Sequence, residues 1–144
     1  MLRVSKMTDY GSVLLTFMAR HPEQIFSTAS LARAIYLPPT TVSKLLKILH
    51  SSGLVLSTRG KNGGYRLAYP AQQITLAQIV DALEGTIAVT ECSIKKDLCQ
   101  IEKYCEIRGH WLGINKVIYN SLAQVTLQDM LSHEIKPEPL TLTK

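Results

Sequence analysis

The sequence has no long apolar run. None of its hydrophobic stretches approaches the roughly 20 residues that a membrane-spanning helix requires, so no membrane span is expected. The opening MLRVSKMTDY lacks an apolar block followed by a small-residue cleavage site, which predicts an unsecreted, cytoplasmic protein. No extended repeat or low-complexity tract interrupts the 144 residues, and the hydrophobic content of 46% is typical of a globular protein.

Aromatic residues are scarce, and the histidines follow no pattern. Phe, Trp and Tyr make up 6% of the chain, and its first half shows no surface on which aromatic and basic residues alternate. A stacking platform for single-stranded nucleic acid is therefore not expected. The four histidines suggest no nucleophilic Cys/His/Asp site, so an enzyme of that type is not expected either.

Cysteine is confined to one stretch, TECSIKKDLCQIEKYCEIRGH, which contains Cys92, Cys99 and Cys105. Because cytosolic thiols stay reduced, such a cluster indicates metal or redox chemistry rather than disulfides. Six and five residues separate the cysteines, which is wider than structural zinc sites usually use and suits an iron–sulfur cluster. A fourth ligand would have to come from nearby His110 or from the distant Asp9. Three ordinary buried cysteines are the alternative.

The positive charge lies in the first half of the chain. Residues 1–70 contain nine Lys or Arg and two Asp or Glu, a formal charge of +7. Residues 71–144 contain seven Lys or Arg and nine Asp or Glu, a formal charge of −2. The first half is therefore a candidate for binding a polyanion, with solubility as the simpler explanation of its charge.

The same half shows the pattern of a winged helix-turn-helix. A short helix in STASLARAI, a break at YLPPT and an amphipathic helix in TTVSKLLKILHSS follow in order. Pro39 suits the first turn of the second helix, and Gly53 suits its end. The next stretch, LVLSTRGKNGGYRLA, is typical of a β-hairpin with a glycine-rich turn. A basic hairpin directly after a helix-turn-helix is a wing.

The polar face of the second helix carries the residues that a DNA-reading helix needs. Short hydroxyl side chains approach base edges, and cations bind phosphates or enter the minor groove. Each side chain alone could belong to a solvated face, but their combination with the wing and the charge predicts binding to double-stranded DNA. The candidates are Thr40, Thr41, Ser43 and Lys44 on the helix, Arg59 and Lys61 in the wing, and more weakly Lys47.

The second half begins with a helix in ITLAQIVDALEG, which has a Thr75/Gln78 capping box and ends at Gly85. A long helix with one apolar stripe is expected over residues 106–125, then a short helix capped by Thr126 and a loose tail. The predicted fold is mainly α with a small β-hairpin wing, a winged helix-turn-helix over 1–70 followed by 71–144 as a second unit.

Four features of the chain occur in the same order as in a known family. They are the opening, the wing RGKNGGYRL, the helix ITLAQIVDALEG and the three cysteines. The chain resembles the winged-helix iron–sulfur regulators that include IscR, NsrR and the SUF-operon regulators, over about residues 1–132. Its opening is most similar to the SUF-operon subgroup. The resemblance implies a homodimeric repressor of iron–sulfur assembly genes, whose second unit comprises a linker helix, a cysteine loop and a dimerisation helix.

The resemblance also implies a ligand set. Cys92, Cys99 and Cys105 would hold a 2Fe-2S or 4Fe-4S cluster. The IscR pattern places a histidine three residues after the last cysteine, where this chain has Arg108. The NsrR pattern uses an aspartate of the other subunit, and Asp9 stands at the matching position. We therefore expect Asp9 of the partner subunit as fourth ligand, with His110 in reserve. The alternative is a regulator with a zinc or thiol-based redox or nitric oxide switch.

Overall fold

The computed structural model describes residues 3–132, so the tail expected to be loose lies outside the described residues. The described chain is mainly helical with one two-stranded sheet, which confirms the predicted fold class. Within residues 3–132, two short 3-10 turns lie between main elements, and a third, Asp129–Leu131, follows the last of them. The main elements are α1 Lys6–Ala19, α2 Thr28–Ala34, α3 Pro39–Ser51, β1 Val55–Thr58, β2 Gly64–Leu67, α4 Leu76–Glu84, α5 Glu91–Ile94 and α6 Arg108–Gln124.

The stretch TDYGSVLLTFMAR predicts a helix over residues 8–20 with Thr8 as its N-cap and an apolar stripe that includes Leu14 and Met18. Helix α1 starts earlier than this pattern predicts. Ser5 is the N-cap, and its hydroxyl accepts the Thr8 N–H at 3.3 Å. The prediction of Thr8 as the cap is therefore wrong, and Thr8 lies buried inside the first turn. Leu14 and Met18, two residues of the predicted apolar stripe, are buried in the core.

The helix-turn-helix is formed by α2 and α3. Ser27 caps α2 by accepting the Ser30 N–H at 3.1 Å. The helix ends in a Schellman motif, in which the Leu37 N–H donates to the Ala32 carbonyl at 3.1 Å. This motif needs a left-handed residue, and Tyr36 fills that place with a φ of 56°. A side chain in this conformation costs roughly 1–2 kcal/mol relative to a right-handed one.

The wing is the antiparallel pair of β1 and β2, with Val55 opposite Leu67 and Thr58 opposite Gly64. The segment HPEQIF before α2, whose proline favours a loop, adds one bridge to this sheet. The Phe26 N–H donates to the Tyr65 carbonyl at 2.8 Å, and the Tyr65 N–H donates back at 2.7 Å. The wing is thus tied to the connection between α1 and α2.

Helix α4 joins the winged helix to the rest of the chain. The Thr75/Gln78 capping box is present, and Gly85 ends the helix with a φ of 90°, as the sequence predicts. Ile79 of α4 lies in the same core cluster as Leu14 and Leu45. The core therefore extends beyond residue 70, and the division of the chain at that point stays a prediction.

Helix α6 agrees within two residues with the predicted long helix, but it is not a core helix. None of its residues, all of which lie in the described part of the chain, is buried. Ile114, Val117 and Tyr119 are 45%, 56% and 42% exposed. A separate finding is that no helix within residues 3–132 is long and apolar enough to cross a membrane.

Candidate DNA interface and cysteine loop

The amino-terminal end of α3 and the start of α2 border a shallow groove of about 550 Å³. Thr40, Lys44 and Lys47 are exposed, whereas Thr41 and Ser43 are half-buried. The hydroxyls thus lie near the amino-terminal end of α3, and Lys44 and Lys47 lie further along the same helix. Four of the predicted DNA-contact residues line the groove together with Thr28 and Pro39, namely Thr40, Ser43, Lys44 and Lys47.

Arg59 and Lys61 are exposed in the turn between β1 and β2, where both side chains are free to approach a nucleic acid. The wing also contacts α3 near its carboxyl end, because His50 Nε2 and Ser57 Oγ lie 3.1 Å apart. This contact fixes the hairpin against the helix that carries Lys44.

The structure draws attention to Tyr36, an exposed residue of the helix-turn-helix. It lies in the turn between α2 and α3, and 93% of it is exposed. The sequence offered only a weak signal for it, a large residue at a helix end where glycine is usual.

The cysteine loop connects α4 to α6. Cys92, Cys99 and Cys105 are free thiols, and each is half-buried. Cys92 lies in the short helix α5, with its Sγ 3.2 Å from the Thr90 hydroxyl. Cys105 closes the 3-10 turn Glu102–Tyr104. The thiols are thus partly accessible and lie on a segment with little regular structure.

A buried carboxylate organises the second part of this loop. Glu102 Oε1 accepts from Arg108 Nε at 2.8 Å, and Glu102 Oε2 accepts the Asp97 N–H at 2.7 Å. The Glu102 N–H donates to the Cys99 carbonyl at 3.2 Å, and the Cys105 N–H donates to the Glu102 carbonyl at 3.4 Å. Sequence analysis missed this role of Glu102, since a pair six residues apart has no periodic signal.

The first part of the loop is attached to α6 by one amide side chain. Asn115 Oδ1 accepts the Val89 N–H at 3.0 Å, and Asn115 Nδ2 donates to the Ile87 carbonyl at 3.2 Å. The segment leading into Cys92 therefore follows α6.

The predicted metal ligands are not gathered into one site. Within residues 3–132 of a single chain, no three His, Cys, Asp or Glu side chains are arranged to hold a metal ion. Asp9 is exposed in the first turn of α1, and His110 is exposed in the first turn of α6. The donor set itself fits an iron–sulfur cluster, because three free thiols share one loop.

The start of α1, where Asp9 lies, is tied to the end of α4. The Ser5 N–H donates to Glu84 Oε1 at 2.7 Å. The pKa of the Glu84 carboxyl lies below its ordinary value because the Thr8 hydroxyl and the Ser5 N–H both favour the charged form. Thr8 Oγ1 has no hydrogen bond of full geometry, so the bond from Ser5 is the firmer contact.

Comparison with known proteins identifies the chain. A family model described as "Rrf2: Iron-dependent Transcriptional regulator" matches residues 4–133. The chain belongs to the Rrf2 family. It is therefore a DNA-binding transcriptional regulator and not an enzyme, as the sequence predicts. Within the family, it is 30% identical over 131 residues to the protein rrf2 of Nitratidesulfovibrio vulgaris, covering 90% of this chain and 87% of that protein.

Two solved structures of this fold are similar to the Rrf2-family chain. CymR, described as the global cysteine regulator of B. subtilis, has a TM-score of 0.70 at 30% identity and covers 94% of this chain and 100% of its own. IscR of T. potens has a TM-score of 0.66 at 33% identity, covering 90% of this chain and 86% of its own. These similarities support the winged-helix architecture.

Proposed function

We propose that this Rrf2-family chain is a homodimeric, cytoplasmic repressor whose DNA affinity depends on an iron–sulfur cluster. Cys92, Cys99 and Cys105 would hold the cluster together with Asp9 of the partner subunit, and iron–sulfur assembly genes would be its targets. The observation that carries the proposal is the presence of three free, half-buried thiols on one loop between the winged helix and α6.

Charge and shape support duplex DNA as the partner. The first 70 residues carry a formal charge of +7. Exposed cations lie on α3, which would be the recognition helix, and on the wing, namely Lys44, Lys47, Arg59 and Lys61. Cations that neutralise phosphates release counterions, so binding should weaken steeply as salt rises.

The exposed apolar side of α6 supports a homodimer. A helix of 17 residues without a buried residue gains little from packing within its own chain, and helices in water depend on such packing for stability. A second copy of α6 would cover Ile114 and Val117. Two recognition helices would then read two half-sites, which is the usual arrangement for helix-turn-helix dimers.

The contacts of the loop support Asp9 over a ligand at position 108. Arg108 is engaged with Glu102 and has no lone pair to offer a metal. Asp9 is an exposed carboxylate on the DNA-binding unit, where it is accessible to a second chain. His110 stays the reserve ligand. When bound, a cluster would supply a centre that responds to iron supply or oxidants.

The chain's own contacts provide a route from the loop to the DNA-binding surface. Asn115 ties the loop to α6, and Glu84 ties α4 to the start of α1. A rearranged loop would therefore act on both the dimer helix and the first helix of the winged unit. Because half-site spacing is strict, a small shift between recognition helices changes affinity substantially.

A thiol or zinc switch is the second candidate. The thiol form is favoured by the observation that the cysteines are not gathered into a metal site within residues 3–132, whereas a zinc switch would have to draw them together. The similarity to CymR, described as a cysteine regulator, is compatible with this second candidate. Absorption of visible light separates the candidates, since zinc and free thiols are colourless.

The switch itself is tested by comparing affinities. A recognition sequence is first selected from a pool of random duplexes, and its dissociation constant is measured with cluster-loaded and cluster-free protein. The proposal expects the two constants to differ at least tenfold. Equal affinities would leave a DNA-binding protein whose cluster does not control it.

A further inference from the structure

Tyr36 occupies a position that the fold would fill better with glycine. It is the left-handed residue of the Schellman motif at the end of α2, with a φ of 56°. Glycine is the usual residue there because it has no Cβ to clash with the backbone. A tyrosine in this place needs a gain elsewhere to offset the strain.

The gain does not come from packing within the chain. Tyr36 is 93% exposed, so its ring removes almost no apolar surface from water. Its neighbours make the core contacts of the turn instead. Ile35 and Leu37 are both packed against the hydrophobic core. Non-glycine residues held in strained backbone conformations tend to cluster at functional sites.

The location of Tyr36 suggests what its side chain meets. It stands three residues before Pro39, the first residue of α3, whose amino-terminal end borders the groove described above. In helix-turn-helix proteins this end of the second helix enters the major groove. The turn before it then lies beside the sugar–phosphate backbone, where tyrosine hydroxyls are common donors.

We propose that Tyr36 is a DNA-contact residue whose phenolic O–H donates a hydrogen bond to a backbone phosphate at the mouth of the major groove. The inference rests on the proposed binding of duplex DNA. It adds a neutral, sequence-independent contact to the charged ones, and it explains why the strained position carries a large polar side chain.

This contact has a signature that distinguishes it from those of the lysines. A neutral donor displaces no counterion, so its loss should lower the affinity at every salt concentration without changing the salt dependence. A phosphate carries no base identity, so the loss should be similar on a selected sequence and on a random one.

The test uses the full chain and a fluorescently labelled duplex of random sequence, titrated at several KCl concentrations. Tyr36→Phe removes only the hydroxyl and should weaken binding about tenfold or more for each protomer on the duplex, the effect of one lost hydrogen bond to a charged group, with an unchanged salt slope. Tyr36→Gly should weaken binding at least as much while raising the melting temperature. Tyr104→Phe is the matched control, since Tyr104 is 87% exposed in the cysteine loop, and it should bind as the wild type does.

Three outcomes would overturn the proposal. Tyr36→Phe could bind as tightly as the wild type, which leaves the hydroxyl without a role in binding. Tyr36→Gly could lower both the melting temperature and the affinity, which makes Tyr36 a structural residue. If the wild type does not bind duplex DNA at low salt, the proposed function itself fails, and the Tyr36 assignment fails with it.

Discussion

Arg108 neutralises the buried carboxylate of Glu102. Arg108 Nε and Nη2 both lie 2.8 Å from Glu102 Oε1, and the Glu102 side chain is only 7% exposed. Arg108 begins α6, whereas the backbone of Glu102 bonds to Cys99 and Cys105. This ion pair therefore couples the conformation of the cysteine loop to the start of the helix on which we propose dimerisation.

Arg108→Ala should loosen the cysteine loop. It leaves Glu102 buried without its cation, so we expect the free energy of unfolding to fall by about 1–3 kcal/mol. In cluster-free protein, Cys99 and Cys105 should be alkylated faster, while Cys92 changes less because Asn115 holds its end of the loop. Mass spectrometry of alkylated peptides measures all three rates.

Lys103→Ala is the matched control for this change. Lys103 is an exposed cation in the 3-10 turn that contains Glu102, and its loss should leave both the stability and the alkylation rates unchanged. If Cys99 is alkylated at the same rate in Arg108→Ala and in the wild type, the Glu102–Arg108 pair does not hold the loop.

Cys99→Ala should abolish the cluster and preserve the fold. Cys99 is only half-buried and lies outside the core cluster, so its replacement should lower the free energy of unfolding by less than about 1 kcal/mol. The visible absorption of reconstituted protein should disappear, while the circular dichroism spectrum stays unchanged. An unfolded Cys99→Ala protein would show instead that the cysteines are structural.

Lys44→Ala should weaken DNA binding through the loss of a phosphate contact. Each lost contact should reduce the slope of log affinity against log salt by about 0.9, and a dimer would lose two contacts. Fluorescence anisotropy at several salt concentrations measures the slope, and the cluster content should not change. Lys95→Ala removes an exposed lysine from the cysteine loop and should leave the slope as it is. An unchanged slope in Lys44→Ala would remove this lysine from the interface.

Val117→Asp should convert the proposed dimer into monomers. Val117 is 56% exposed on α6, and a carboxylate there would be buried without a partner if a second α6 packed against it. Sedimentation velocity should show the monomer mass, and DNA affinity should fall because one half-site contact is lost. Lys116→Asp changes the neighbouring exposed residue and tests for a general effect of charge. A dimer that survives Val117→Asp would place the interface elsewhere.

Glu84→Gln should reduce stability only where the carboxyl is charged. The pKa of Glu84 lies below its ordinary value of 4.5, so its contribution is complete above that value and is lost as the pH falls through the lowered pKa. The melting temperatures of the wild type and Glu84→Gln should therefore differ at about pH 6 and should differ less at a lower pH, below 4.5. Glu23→Gln, at an exposed site between α1 and α2, controls for the lost charge. A difference in melting temperature that is just as large at the lower pH would contradict this role of the charged Glu84 carboxyl.

Local rules explain which parts of the fold could be predicted. The Thr75/Gln78 box, Pro39 at the start of α3 and Gly85 at the end of α4 each act within a few residues, and all three stand in the structure as expected. The start of α1 was misplaced because Ser5 and Thr8 are both good caps. Ser5 is also held through its N–H by Glu84, which is 79 residues away, and no local rule predicts such a contact.

The features that the sequence could not predict depend on contacts outside regular secondary structure or on backbone strain. The Glu102–Arg108 pair and the Asn115 bonds connect the irregular cysteine loop to α6, and such a loop has no periodicity from which its contacts could be predicted. Tyr36 contradicts the preference for glycine at its position, and such conflicts are expected where a residue serves function rather than folding. A long helix with an apolar stripe could be predicted here from the sequence, but the exposure of Ile114 and Val117 on α6 could not.

The central claim is tested most directly by purifying the protein without oxygen, recording its visible spectrum and counting iron and sulfide per chain. The account predicts a coloured protein with about one cluster per chain, the content expected for three thiolates and one outside ligand. The band shape would then choose between 2Fe-2S and 4Fe-4S. A protein that stays colourless after reconstitution, yet binds duplex DNA, would contradict the cluster and leave a winged-helix regulator with a thiol or zinc switch.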